Sequence, residues 1–306
     1  MRTDFFYDSK GQGKIHGFRW TPEQEPTAVI QIVHGITEHA ERYDQFARYL
    51  NKKGYLVVAE DHMGHGQSAQ LGSTKGYFHG GWFTGVEDTC ALLRMTREEF
   101  PELPYILLGQ AMGSFMVRTI LCAYPDIGIS GAIICGTCWM PDAVVRFGQK
   151  TASLVCKGIG EETPSETLRK LVFGGNNRKV ERPRTTHDWL TRDAVIVDAY
   201  NADPMCGFTA SCGLIRDMMG GIAYNQKKEN LERMKKDLPV LFLAGGDDPV
   251  GGYGKGVRQT AEEFQAVGME NVTVKIYPLC RHEVLNEINR AEVFRSVNIW
   301  IRENFL

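Results

Sequence analysis

The residues with the clearest chemical potential are Asp248, His282 and the turn Gly109-Gln110-Ala111-Met112-Gly113. An acid and a histidine, each following a predicted strand, can form a couple in which the carboxylate orients the imidazole and the imidazole moves a proton. That couple serves attack on an acyl carbon when a third group supplies the nucleophile and backbone N–H groups hold the oxyanion. The turn is where the third group belongs. An apolar run from Tyr105 to Leu108 enters it and a helical pattern from Met112 to Tyr124 leaves it. Its two glycines suit a strained elbow where strand and helix nearly touch. The residue at its centre is Ala111, and a methyl group cannot attack a carbonyl. The chain has the frame of a serine nucleophile without the serine.

The elements that must position these groups follow from the hydrophobic pattern. Residues 3–8 and 14–20 alternate apolar and polar around Gly11-Gln12-Gly13 and predict an opening hairpin. Ala28–Val33, Tyr55–Ala59, Tyr105–Leu108, Ile129–Cys135, Pro239–Ala244 and Val272–Ile276 read as strands, several of them β-branched runs fit for burial on both faces. Helical patterns lie between them: one with Tyr43, Phe46, Ala47 and Leu50 on a single face, then 84–99, 112–124, 257–267 and 291–303. This alternation predicts an α/β fold, a mostly parallel central sheet with helices on both faces. Ligands of such sheets bind outside the carboxyl ends of the strands. His34-Gly35, Asp61-His62 and the 109–113 turn all fall at such ends.

From about Gly136 to Lys236 the rhythm changes to helix-like pieces, 141–157, 165–172, 187–200 and 211–221, with sulfur-rich and aromatic side chains. The expected division is therefore a core of 1–136 and 237–306 with a helical cap, 137–236, inserted over the strand ends. An apolar cavity should lie beneath it.

Composition narrows the partners. A net charge of −2 gives no electrostatic footprint for nucleic acid. No run approaches the apolar length of a membrane helix, so no stable membrane span is expected. Eight scattered cysteines in so long a chain suggest reduced, buried thiols and a cytoplasmic location. Cys135 and Cys138 form a lone C-x-x-C, without the second pair a zinc site would want. The histidines at 34, 62 and 65 have no ligand spacing, and neither a metal nor a cofactor is implied.

Residues 28–68, 105–114, 240–256 and 276–287 resemble the monoacylglycerol lipase/lysophospholipase branch of the α/β-hydrolase superfamily. The resemblance rests on His34-Gly35-Ile36-Thr37-Glu38-His39 with Arg42-Tyr43, on Asp61-His62-Met63-Gly64-His65-Gly66-Gln67-Ser68, on the elbow, on Asp248-Pro249-Val250 and on Arg281-His282-Glu283. In the cap, Trp189-Leu190-Thr191-Arg192-Asp193 and Asp203-Pro204-Met205-Cys206-Gly207-Phe208 look like bacterial members. The family's usual elbow is Gly-His-Ser-Met-Gly, and this chain departs from it at Gln110 and Ala111.

The resemblance implies a serine ester hydrolase working through an acyl-enzyme on a fatty-acyl ester of a small alcohol. Ala111 would hold the nucleophile position, His282 would be base and then acid, and Asp248 would orient it, with Asp247 as the alternative acid. Backbone N–H groups of Ile36 and Met112 would form the oxyanion hole. His34 would brace the oxyanion loop, with His62 and His65 bracing the loop after their own strand. Glu38 would be structural or touch a head group, and Ser114 would be an ordinary helix residue. The intact acid and base favour a hydrolase whose serine was replaced by alanine over a natural ligand-binding homologue. Carboxylesterase and peptidase-like activities, and a dehalogenase or epoxide hydrolase frame with aspartate at the elbow, stay open.

Overall fold

The computed structural model describes residues 1–306. Eight strands form one sheet in the order β1-β2-β4-β3-β5-β6-β7-β8. They are β1 (Arg2–Asp8), β2 (Lys14–Trp20), β3 (Ala28–Val33), β4 (Tyr55–Asp61), β5 (Tyr105–Gln110), β6 (Gly131–Cys135), β7 (Val240–Gly245) and β8 (Val272–Tyr277). The β1–β2 and β2–β4 pairs are antiparallel and every later pair is parallel. This is the mainly parallel α/β sheet expected, with the predicted hairpin at its antiparallel edge.

The central strands are buried on both faces, and alternate residues serve two different cores. Val29, Leu107, Ile134 and Phe242 join α2 (Trp82–Glu99), α3 (Met112–Ala123) and α9 (Lys255–Ala266) on one side. Ile30, Leu108, Ile133 and Leu243 join α1 (Asp44–Asn51) and α10 (Arg290–Phe305) on the other. The period-two alternation sends successive side chains to opposite faces, so a continuous apolar run is what such a strand needs.

Between β6 and β7 the chain runs through α4 (Asp142–Ile159), α5 (Glu166–Phe173), α6 (Ala194–Ala202), α7 (Cys212–Asn225) and the short α8 (Lys228–Leu231), with no strand. α7 packs on α4 and on α3, which ties this helical segment to the elbow helix. The expected helix over 187–200 is not there as such. α6 begins only at Ala194, where the Asp193 side chain accepts the Val195 N–H, a helix cap. Residues 187–193 instead spend their backbone on partners elsewhere. The carbonyls of Trp189 and Leu190 accept the N–H groups of His282 and Glu283 at 3.4 and 2.7 Å.

Candidate active site

The elbow is built at the end of β5. Ala111 has φ 51° and ψ −117°, backbone that residues with a side chain rarely adopt, and α3 starts at the next residue. The flanking glycines are required by space. A Cβ on Gly113 would lie 2.0 Å from the Val33 carbonyl oxygen, and one on Gly109 would lie 2.4 Å from that of Gly113. The Ala111 N–H bonds the Cys135 carbonyl at 3.0 Å, fixing the turn to β6.

His282 and Asp248 meet at the same end of the sheet. Nδ1 of His282 is 3.0 Å from Oδ1 of Asp248, and both side chains are buried. The same carboxylate oxygen accepts the Val250 N–H at 2.9 Å, which holds it in place. Asp247, the alternative acid, is exposed and makes no such contact. Burial alone would lower the His282 pKa, but the Asp248 carboxylate outweighs it and raises the value above 6.5. On the far side the His282 ring lies against Trp189, with centroids 5.0 Å apart. Gln110 stands beneath and donates from Nε2 to the His282 carbonyl at 3.3 Å, while its Oε1 is buried without a partner.

The loop after β3 faces the elbow closely enough that a Cβ on Gly35 would stand 3.1 Å from Cβ of Ala111. The N–H of Ile36 makes no hydrogen bond within the protein. Met112 is the first residue of α3, so its N–H belongs to the unpaired donors of a helix start, where the dipole favours negative charge. The loop's shape is held from both sides. Glu38 Oε1 accepts the Gly35 N–H at 2.6 Å and the Tyr43 hydroxyl at 2.9 Å. Thr37 sits at φ 54°, and its carbonyl is clamped by the Tyr200 hydroxyl at 3.0 Å and the Gly207 N–H at 2.9 Å.

A buried ion cluster joins this loop to the histidine loop. Arg42 bonds Glu283 through two nitrogens, at 2.8 and 2.6 Å, and bonds Glu38 as well. Burial pushes Glu38 up against the pull of Arg42, while at Glu283 burial is outweighed by Arg42, which keeps that carboxyl low. Glu38 is thus fully occupied inside the protein. Behind the loop, His34 donates from Nδ1 to the Gly35 carbonyl at 2.7 Å and accepts the His62 N–H on Nε2 at 3.0 Å. His65 bonds the Met63 carbonyl at 3.0 Å. Burial, with the neighbouring histidines, depresses His34 well below the ordinary value and His65 to about 3.

Ser114 is buried, and its hydroxyl donates back to the Ala111 carbonyl at 2.5 Å. All eight cysteines are free and buried, Cys135 and Cys138 included. His39, Asp203 and Cys206 bring one ligand atom each within 4.8 Å of one another. Asp203 there is already engaged by the Met205 N–H at 2.8 Å and by His39 at 2.8 Å.

Ala111, Met112, Ile36 and His282 line one cavity of about 480 Å³, roofed by the helical segment and half hydrophobic. No helix is long and apolar enough to cross a membrane. The Arg42 cluster and the backbone bonds from Trp189 and Leu190 had not been legible in the sequence, because they join residues far apart in it. The charged neighbours of the motif histidines, Arg42 and Glu283, were the available signal.

The profile of the serine aminopeptidase S33 family matches residues 24–289. The monoacylglycerol lipase of Mycolicibacterium smegmatis is 30% identical over 288 residues, covering 92% of this chain and 90% of that protein. The monoglyceride lipase of Homo sapiens is 28% identical, covering 93% and 85%. A thermostable carboxyl esterase from Bacillus coagulans, solved with glycerol, superposes with a TM-score of 0.87 at 29% identity, over 100% of this chain and 99% of that one. With a profile match across most of its length and this fold, the chain belongs to the serine aminopeptidase S33 family of α/β-hydrolases.

Proposed function

We propose that this chain carries the frame of a serine ester hydrolase for single-chain fatty-acyl esters, with Ala111 standing where the active form has its serine. Residues 1–136 and 237–306 are the catalytic core and 137–236 the lid. The observation that carries the reading is the buried Asp248–His282 pair, 3.0 Å apart, whose His282 lines the same cavity as the strained elbow at Ala111.

In the serine form His282 takes the hydroxyl proton as the oxygen attacks the ester carbon. The N–H groups of Ile36 and Met112 receive the oxyanion, each such donor being worth roughly 3 kcal/mol in the transition state. Asp248 stabilises the imidazolium, which then protonates the leaving alcohol. Water hydrolyses the acyl-enzyme by the same route, with His282 again as base. Without the serine, turnover is expected to fall on the order of a million-fold while the binding cavity persists. This chain therefore binds its ester and does not cleave it.

Lipase and esterase relatives at 26–30% identity support a lipid ester, as does the apolar wall of the cavity. An aminopeptidase would need a free carboxylate for the substrate's ammonium. The two carboxylates lining the cavity, Glu38 and Glu283, are both taken by Arg42.

The test is Ala111→Ser assayed on p-nitrophenyl esters of graded acyl length. A burst followed by turnover in the serine form, lost with His282→Ala and absent from the alanine form, supports the reading. A silent serine form, with lipid esters bound equally by both, would favour a natural ligand-binding protein.

A further inference from the structure

The wall of the cavity has two parts with different chemistry. One runs along α3 and α7 and is apolar, formed by Phe115, Met218, Met219, Ile222 and Met140. The other passes His282. Trp189 lies on the His282 ring, Phe173 stacks on Trp189 with centroids 6.3 Å apart, and beyond Phe173 the lining turns polar with Asn176 and Asn177. His282 is the group that would protonate the leaving alcohol, so the alcohol belongs on this second side.

Asn176 lines this cavity and also an adjoining hollow of about 190 Å³, with Lys179, Arg192, Arg281 and Asp247 around it. Nδ2 of Asn176 is buried and has no hydrogen-bond partner. Arg281 spends one nitrogen on the carbonyls of Asp188 and Thr191, at 2.6 and 3.1 Å, and has no carboxylate partner. Lys179 holds its ammonium over the Tyr253 ring at 3.4 Å and is likewise unpaired. Arg192 is offset by Glu287 at 3.0 Å. Against Asp247 alone, Lys179 and Arg281 leave the hollow positive. A buried donor without an acceptor, beside uncompensated cations, fits a ligand that brings several anionic oxygens.

We propose that this hollow takes the phosphate monoester head group of a single-chain acyl ester. The acyl tail lies against the apolar part of the wall, the ester carbonyl sits at Ala111, and the phosphate is held by Asn176, Lys179 and Arg281. The assignment rests on the ester-binding reading of the main cavity.

Because the alanine form does not turn its ligand over, affinity can be read directly by calorimetry below the micelle concentration. The probes are 1-dodecanoylglycerol 3-phosphate, uncharged 1-dodecanoylglycerol and glycerol 3-phosphate. The phosphate ester is expected to bind about ten-fold more tightly than the neutral ester, with an advantage that shrinks as salt rises. Lys179→Glu, an exposed substitution compatible with folding, should abolish that advantage and leave the neutral ester's affinity unchanged. Equal affinities for the two esters, untouched by Lys179→Glu, would overturn the head-group assignment and leave the ester reading standing. Glycerol 3-phosphate binding as tightly as the acylated phosphate, without displacing the neutral ester, would make the hollow a free-anion site and also overturn it. Binding of no ester at all would remove both readings.

Discussion

Arg42 grips Glu283 with two of its guanidinium nitrogens, at 2.8 and 2.6 Å, one residue away from His282. The same guanidinium bonds Glu38, whose other oxygen holds the Gly35 N–H at 2.6 Å. One buried cation therefore sets the position of both the histidine loop and the loop carrying Ile36. Arg42→Ala would leave two buried carboxylates facing each other unpaired, a change of the kind that costs about 3–5 kcal/mol. Arg42→Lys keeps the charge and loses the fork, and should cost less. Urea unfolding of the three proteins measures this, and a loss below about 1 kcal/mol for Arg42→Ala would show that the cluster is not structural.

The Asp248–His282 pair predicts a titration. Burial works to lower the His282 pKa and the Asp248 carboxylate overrides it, so the folded value lies above 6.5. A raised value means stability that is fully present below pH 6.5 and lost as pH rises through the folded pKa. NMR of the His282 ring should show the midpoint above 6.5, and Asp248→Asn should bring it down. In the Ala111→Ser form the acid limb of kcat/KM should move the same way, with kcat reduced about 10⁴-fold by Asp248→Asn. An unmoved midpoint in Asp248→Asn would break the couple.

The histidines behind the β3 loop run in the opposite sense. His65 is pushed down to about 3 by burial and then by His62, and His34 well below its ordinary value by the same causes. Both are neutral when folded, whereas the unfolded chain takes up their protons. Their contribution is fully present above pH 6.5 and drains away as pH falls toward about 3. The urea midpoint should drop steadily over that window. His65→Asn keeps a donor for the Met63 carbonyl and should flatten the drop. An identical slope in that variant would mean that other groups drive acid unfolding.

Much of the core was legible because its signals are local. Ala28–Val33 is a β-branched run buried on both faces, and the structure has a strand over those same residues. The elbow glycines could be read because only glycine fits where β5 and α3 touch. Residues 187–193 misled because Trp189 and Leu190 stand directly ahead of the apolar run Ala194–Val197 and read as its first turn, while their backbone is drawn off by the histidine loop. No periodicity records such a bond. The same holds for Gln110, whose contact with the His282 carbonyl spans 172 positions of sequence.

Ser114 carries the hydroxyl nearest the elbow in sequence. If its hydroxyl could serve as a nucleophile, this chain would hydrolyse esters with alanine at position 111. Its geometry opposes that. Ser114 is fully buried, its hydroxyl donates to the Ala111 carbonyl at 2.5 Å, and its side chain is not part of the cavity wall. It lies one turn along α3, bonded back to the elbow, with its proton committed and no base within its hydrogen bonds. A fluorophosphonate probe, which phosphonylates an activated serine, should therefore leave this chain unlabelled and label Ala111→Ser at position 111 alone. Ser114→Ala in the serine form should label at nearly the same rate, since it removes only a bond within the helix start. Mass spectrometry of the labelled peptides distinguishes the two serines. A phosphonyl adduct on Ser114 in the unsubstituted chain would make Ser114 a nucleophile and would end the account in which Ala111 silences the site.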